Sequence, residues 1–438
     1  MKGTFACALT ICASFLNFSI DACNGNIDYC NKRYNEIFGR VRVHNAASYY
    51  DSRTWASRWQ TSLLGIFSNP VADQSTSFEE QLADLKDPQI YPRVFKFPVH
   101  PVEMGSGRYV QITHTLSNRE FNTYFDDYTK FLSYFPRIRE WIREFIRRNI
   151  LWRIDATNMS FTLMLQQLKM FLDENKNEVV TLSLNIFDLA LEDMVASFKA
   201  SGIDSYIHVQ DKKSLWPTLR ELIDANKRLV IFQDAFRVDG DLADEATRSI
   251  IKAEPWVKGF HWSDDFIFGN QWGYTKVEDL GNDSCDIIQD DYIRNQEAYQ
   301  NRSNPSNKIF DLSQTVTPGM AGTKETALRA NAYGFLLAHI KRCYESLGML
   351  PNTVTVDFFD GSRDDLDLIQ RICNQPVQGI FNSTPVRRHV NITSCPENLP
   401  GTCPAEFLTP IRRRVNGTSG SADGLDACPA DFGYKEEL

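Results

Sequence analysis

The feature that most constrains this chain is a recurring unit, a short β-rich apolar run followed by an amphipathic stretch, from residue 38 to residue 373. Strand-like runs fall at 38–43, 93–99, 109–113, 179–184, 228–232, 308–312 and 353–359. Helical periodicity marks 78–85, 161–175, 191–199, 217–226, 325–348 and 364–373. In the 161–175 stretch, Leu163, Leu165, Leu168, Met170, Phe171 and Leu172 define a broad apolar face. Strands alternating with helices over most of a chain predict a parallel sheet with helices covering it. No Gly-x-Gly-x-x-Gly follows the first strand, which argues against a doubly wound dinucleotide-binding sheet. The expected architecture is therefore an α/β (β/α)8 TIM-type barrel, regular or irregular, spanning 23–390. A hydrophobic fraction of 42% suffices for its core.

The flanks read differently. Lys2, an apolar run from Phe5 to Ile20 interrupted by Asn17 and Ser19, and the small-polar step Asp21-Ala22-Cys23 predict a removable signal peptide over 1–22 rather than a membrane anchor. Eight cysteines follow, an even number that fits disulfides in an oxidising compartment. Cys23 and Cys30 are close neighbours in a loop-like stretch and are expected to pair. Residues 391–438 hold Cys395, Cys403, Cys428 and a Gly-Thr-Ser-Gly-Ser run, and are expected to form an irregular, disulfide-tied tail. Six glycosylation sequons beyond residue 22 agree with passage through the secretory lumen. Secretion is the expectation. The terminal Lys435-Glu436-Glu437-Leu438 offers retention in the endoplasmic reticulum as the alternative. A net charge of −9 argues against a nucleic-acid partner.

Of seven histidines, three directly follow the first three strand-like runs: His44, His100 and His114. Neighbouring parallel strands lie about 4.8 Å apart, so rings at successive strand ends are expected to share one mouth. Histidine titrates near neutrality, so a pair across a substrate can take one proton and deliver another.

These strands resemble the phosphatidylinositol-specific phospholipase C X-domain superfamily, in the branch of secreted PLC-like phosphodiesterases. The resemblance is carried by His44-Asn45 after the first strand, Arg93-Val94-Phe95-Lys96-Phe97-Pro98-Val99-His100 on the second, and Thr113-His114-Thr115 at the third. Phe171-Leu172-Asp173-Glu174-Asn175-Lys176-Asn177-Glu178-Val179-Val180-Thr181-Leu182 and, late in the chain, Val356-Asp357-Phe358-Phe359-Asp360 continue it in the same order. The resemblance implies a phosphoric diester hydrolase acting on a phospholipid-type or inositol-phosphate diester. It implies His44 as general base, His114 as general acid, Asn45 at the phosphate or orienting His44, and Asp357 holding the His44 tautomer. His100 and Asp234 are expected near the substrate. Calcium-dependent relatives carry carboxylates on the second strand; here Lys96 and Pro98 stand there, so no metal and no cofactor is expected. Lys96 either supplies positive charge to the phosphoryl group or pairs with a barrel carboxylate. The rival reading is a degenerate barrel that holds a phospho-headgroup or a protein without turnover. A metal-dependent phosphodiesterase of another barrel family would need carboxylates that Lys96-Phe97-Pro98 does not provide.

Residues 136–153 place Ile138, Trp141, Ile142, Phe145 and Ile146 on one helical face, with Arg139, Arg143 and Arg147 elsewhere. This stretch is either an interfacial helix that meets anionic lipid or a lid whose apolar face packs on the barrel.

Overall fold

The computed structural model describes residues 22–44, 46, 74–84, 92–104, 107–112, 133–149, 160–238, 243–270, 274–281, 285, 307–317 and 323–375. Nine strands and eleven α-helices are described there. They run β1 (Arg40–Val43), α1 (Phe78–Asp84), β2 (Pro92–Met104), β3 (Gly107–Ile112), α2 (Pro136–Asn149), α3 (Phe161–Glu174) and β4 (Val180–Ile186). Next come α4 (Leu191–Ser201), α5 (Leu219–Asp224), β5 (Leu229–Gln233), α6 (Glu245–Ala253), β6 (Phe260–Trp262), α7 (Ser263–Phe266) and β7 (Ile267–Gly269). The order closes with α8 (Val277–Gly281), β8 (Ile309–Ser313), α9 (Lys324–Asn331), α10 (Tyr333–Leu347), β9 (Thr353–Val356) and α11 (Arg363–Cys373). Backbone contacts divide the chain at residue 381, and the described residues all belong to the first unit.

Eight parallel strands follow the order β6-β5-β4-β2-β1-β9-β8-β7, so the first strand pairs with both the second and the last. That pairing curls the sheet into a (β/α) barrel; among the described residues no ladder joins its two ends, β6 and β7. Side chains alternate across each strand. Val41, Val43, Phe95, Phe97, Leu182 and Leu184 face outward and pack with Leu165 and Leu168 of α3 in the main apolar layer. A second cluster joins Val230 and Phe232 of β5 to Tyr34, Trp216 and Phe266. The Tyr34 hydroxyl lies 2.6 Å from Thr181 Oγ1 on β4, fixing the segment before β1 against that strand.

Local chemistry sets the helix ends. Thr218 caps α5 in a reciprocal pair with Glu221, and Asp244 caps α6 by accepting from Thr247 N–H. Gly202 and Gly348 end α4 and α10 at φ 70° and 68°, where a Cβ would be strained. The fully buried Arg228 donates to the carbonyls of Leu172 and Asn175 at the end of α3, at 2.8 and 2.7 Å.

Several sequence expectations are corrected. β3 is not a barrel strand; it folds back antiparallel on β2, with Ile112 opposite Val99. The helix expected over 325–348 is two helices, because Ala332 leaves the helical region at ψ 134°. Pro217 precedes the Thr218 cap rather than occupying the first helical turn. β9 stops at Val356, since Phe358 turns the chain at φ 48°. The three-residue strands β6 and β7 carry too little periodicity to be seen in the sequence.

Among the described residues two disulfides are present, the expected Cys23–Cys30 and Cys285–Cys343. They close loops of very different length, with separations of 7 and 58 residues. In the loop-entropy description the shorter contributes about 2–3 kcal/mol and the longer about 4 kcal/mol. Denaturant unfolding of the Cys23→Ala/Cys30→Ala and Cys285→Ala/Cys343→Ala pairs should therefore show the larger loss in the second. Equal losses would place the effect in native packing instead.

Candidate functional site

Register builds the site. Val43 pairs with Phe95 on one side and Val356 on the other, so the next residues along, His44, Lys96 and Asp357, stand level on three adjacent strands, just past the ends of β1 and β9 and part-way along β2. His44 Nδ1 lies 2.8 Å from Asp357 Oδ1. The histidine side chain is 20% exposed and the carboxylate 2%, so the pair presents a ring to solvent and keeps its carboxylate dry. Backbone contacts brace both members. His44 N–H donates to Val356 C=O at 3.0 Å, and the His44 carbonyl accepts from Gln74 Nε2 at 2.7 Å. The Asp357 carbonyl accepts from Asn331 Nδ2 at 2.8 Å.

Burial pushes the Asp357 carboxyl up to about 8, with nearby Lys96 pulling the other way. In its ionised form the carboxylate accepts from His44 Nδ1–H, and that tautomer leaves the basic lone pair on Nε2. Lys96 is held down at about 8, first by burial and then by the Arg42 charge; Asp311, Asp234 and Asp357 act in the opposite direction. Its ammonium makes no hydrogen bond or ion pair of 4 Å or less with any described residue. The reading in which Lys96 pairs directly with a barrel carboxylate does not hold there.

The reason lies one turn of the pleat deeper. Arg42, two residues before His44 on the same face of β1, donates to Asp311 of β8 and, at 2.5 Å, to Ser183 Oγ of β4. Asp311 also accepts from the hydroxyls of Thr353 and Thr355, at 2.6 and 2.8 Å. The guanidinium and the hydroxyls thus occupy Asp311, and among the described residues Lys96 has no direct ion-pair partner. Arg42, Asp311, Ser183 and Gln74 were not singled out from the sequence. For two of them a signal was present: Arg42 shares the parity of His44, and Asp311 is a charge inside the strand Ile309-Phe310-Asp311-Leu312-Ser313.

Other expected site residues fare differently. Asp234 follows β5, stands exposed at the lip and accepts from Ile186 N–H at 2.8 Å. His100 is buried in the β2–β3 hairpin, with Nδ1 2.8 Å from Pro101 C=O. Four residues of strand separate it from Lys96, about 13 Å, so it does not join His44, Lys96 and Asp357. The reason is that β2 runs on past the barrel rim to Met104 instead of ending at Val99. His114 and Asn45 lie outside the described residues. His261 is a core ring, pushed by burial to about 3 and accepting from Gln210 N–H. His339 is fully buried against Gln314 Oε1 at 2.7 Å.

Helix α2 exposes Ile138 (51%) and Trp141 (65%), preceded by exposed Tyr134 and Phe135. More than half of each of these side chains is exposed. The side chains of 144–149, Phe145 and Ile146 among them, lie outside the described residues.

Part of the chain is similar to known proteins. Residues 150–249 match the family model described as PI-PLC X 1. A segment of 76 residues is 42% identical to PI-PLC X domain-containing protein 1 of Arthroderma benhamiae, covering 16% of this chain and 25% of that relative. The match thus spans about a quarter of the relative's length. Among solved structures, the phosphatidylinositol-specific phospholipase C of Listeria monocytogenes aligns over 81% of this chain and 100% of its own, with 11% identity and a TM-score of 0.43. The enzyme of the same name from S. aureus aligns over 79% and 97%, with 12% identity and a TM-score of 0.43. Residues 150–249 of this chain are thus similar to the PI-PLC X 1 family model.

Proposed function

We propose that the chain is a phosphoric diester hydrolase of the phospholipase C type, acting on a lipid-derived diester through His44 and Lys96. The observation that supports this most is the His44–Asp357 pair standing level with an uncommitted lysine. A hydroxyl that attacks phosphorus gives its proton to His44 Nε2 while Asp357 holds the ring through Nδ1. As the new P–O bond forms and the old one breaks, negative charge grows on the phosphoryl oxygens, and the Lys96 ammonium faces it in a site of low dielectric. The departing alkoxide takes a proton from His114, the assignment that family resemblance implies. No step calls for a metal.

A panel of vesicle-borne diesters, including phosphatidylinositol and phosphatidylcholine, assayed with and without chelator, tests the reading. Turnover of at least one diester, unchanged by chelator, is expected. Full loss with chelator would overturn the role given to Lys96. Saturable binding of inositol phosphate with no turnover of any diester would leave a degenerate barrel that holds a headgroup.

The exposed apolar end of α2 gives this enzyme a way to reach a lipid surface. Phe135, Ile138 and Trp141 present bare apolar area beside Arg137 and Arg139, a composition that suits the headgroup boundary of an anionic bilayer. Phe135→Ala/Trp141→Ala is expected to weaken sedimentation with phosphatidylserine-containing vesicles roughly tenfold, while cleavage of a soluble diester stays unchanged. Equal loss on both substrates would place these residues in the fold instead.

A further inference from the structure

A second charged site lies below the lumen, away from His44. Arg40 opens β1 and is 4% exposed. Its guanidinium stacks on the Tyr34 ring at 4.2 Å, which covers one face. Its Nε and Nη2 are buried and have no hydrogen-bond partner, and no carboxylate lies within ion-pair distance of it among the described residues. Arg40 lines a small, part-open cavity together with Asn24, Tyr29, Ile37, Arg93 and Gln370.

The other polar groups lining the cavity are largely committed. Arg93 is held by Glu178 through two bonds, at 2.6 and 3.1 Å, so its charge is neutralised on the spot. Asn24 mimics a strand edge, exchanging bonds with Val179 N–H and C=O at 2.6 and 3.2 Å. Tyr29 Oη accepts from Gln370 Nε2 at 3.3 Å, which leaves its own proton to donate. Burial pushes this phenol up, keeping it a donor across the physiological range. Arg40 is thus a buried full charge without a counter-charge, beside a space and a second donor. A water molecule, bridging to the unpaired Gln370 Oε1, would satisfy an N–H but not the charge. Removing a guanidinium from water without a counter-ion is among the least favourable arrangements a fold can hold.

We propose that this cavity is a structural anion site, occupied by a small inorganic anion of the halide class held by Arg40 Nε and Nη2 with the Tyr29 hydroxyl. The Cys23–Cys30 loop carries Asn24 and Tyr29 into the cavity, and α11 carries Gln370, so the bound anion joins the amino-terminal segment to the barrel and the last helix. Because the site exists only in the folded chain, occupancy raises stability by mass action.

The test uses the intact protein at constant ionic strength, with sodium gluconate replaced stepwise by sodium chloride or bromide. The thermal midpoint should rise by about 2–4 °C for each tenfold increase in halide above the dissociation constant. Arg40→Met keeps the bulk of the side chain without its charge, and its midpoint should no longer respond to halide. A bromide-soaked crystal should show an anomalous peak between Arg40 and Tyr29; this reading does not depend on whether the variant folds. Parallel halide responses in wild type and Arg40→Met would overturn the proposal. So would a cavity holding only an ordered water, or a carboxylate of this chain.

Discussion

Replacing His44 with alanine is expected to lower turnover of the preferred phosphodiester by about 10²–10⁴-fold, the usual contribution of a positioned general base. The barrel should remain folded. His44 is one-fifth exposed and lies at a strand end, so its removal leaves the packed outer layer intact. What it exposes is the buried Asp357 carboxyl without its imidazole partner, a loss of about 1–3 kcal/mol. That loss is bounded because burial raises this carboxyl to about 8, so without its imidazole partner it takes up a proton near neutrality. The decisive comparison is with Asp357→Asn, which keeps the shape and the contact but cannot hold the ring in one tautomer. Both variants should lose kcat much more than they raise KM, because both groups act on the moving proton rather than on ground-state binding. If His44→Ala cleaves the diester at the wild-type rate, the general-base assignment is wrong.

Asp357 also carries a pH signature in stability. Its folded value of about 8 lies above the 3.8 of an unperturbed aspartate, so the folded chain keeps a proton that the unfolded chain releases. This contribution is fully present below about pH 4 and is lost as the pH rises through about 8. Asp357→Asn should remove that slope.

Lys96→Met should reduce kcat/KM by about 10²–10³-fold, the range seen when one preorganised stabilising group is removed from a developing oxyanion. The substitution keeps the stem and deletes the charge, so the fold is expected to tolerate it. In wild type, the lysine is held at about 8, and activity should fall as pH rises through that value and the ammonium becomes neutral. The direction follows from the charge: the protonated form is the one that faces the phosphoryl group. Lys96→Met should lose this alkaline limb as well as most of its rate. A pH–rate profile of kcat/KM for both proteins decides the matter. A variant that retained both the rate and the alkaline limb would assign the limb to another group and leave Lys96 as a structural lysine.

Much of this was present in the order of residues. Alternating apolar runs specify strands and helices through their different periods, and seven strand-like runs interleaved with helical stretches leave few ways to bury both faces of each strand other than a parallel sheet covered by helices. His44, Lys96 and Asp357 were visible because a polar residue at the end of an apolar strand stands out against its surroundings. Other features were not local, and the sequence did not contain them. That β3 turns back on β2, carrying His100 into a hairpin away from His44, depends on pairing between Val99 and Ile112. The two short strands at the barrel's ends exist through their neighbours, since three residues have no period of their own. The sequence by itself determined the strand parity that points Arg40, Arg42 and His44 to one side. Only the tertiary structure decided that Arg42 would find Asp311 across the lumen, and that among the described residues Lys96 would have no direct ion-pair partner and Arg40 no counter-charge. Hydrophobic period is a property of neighbours along the chain, whereas charge compensation depends on which distant side chains the closed sheet brings within hydrogen-bonding reach.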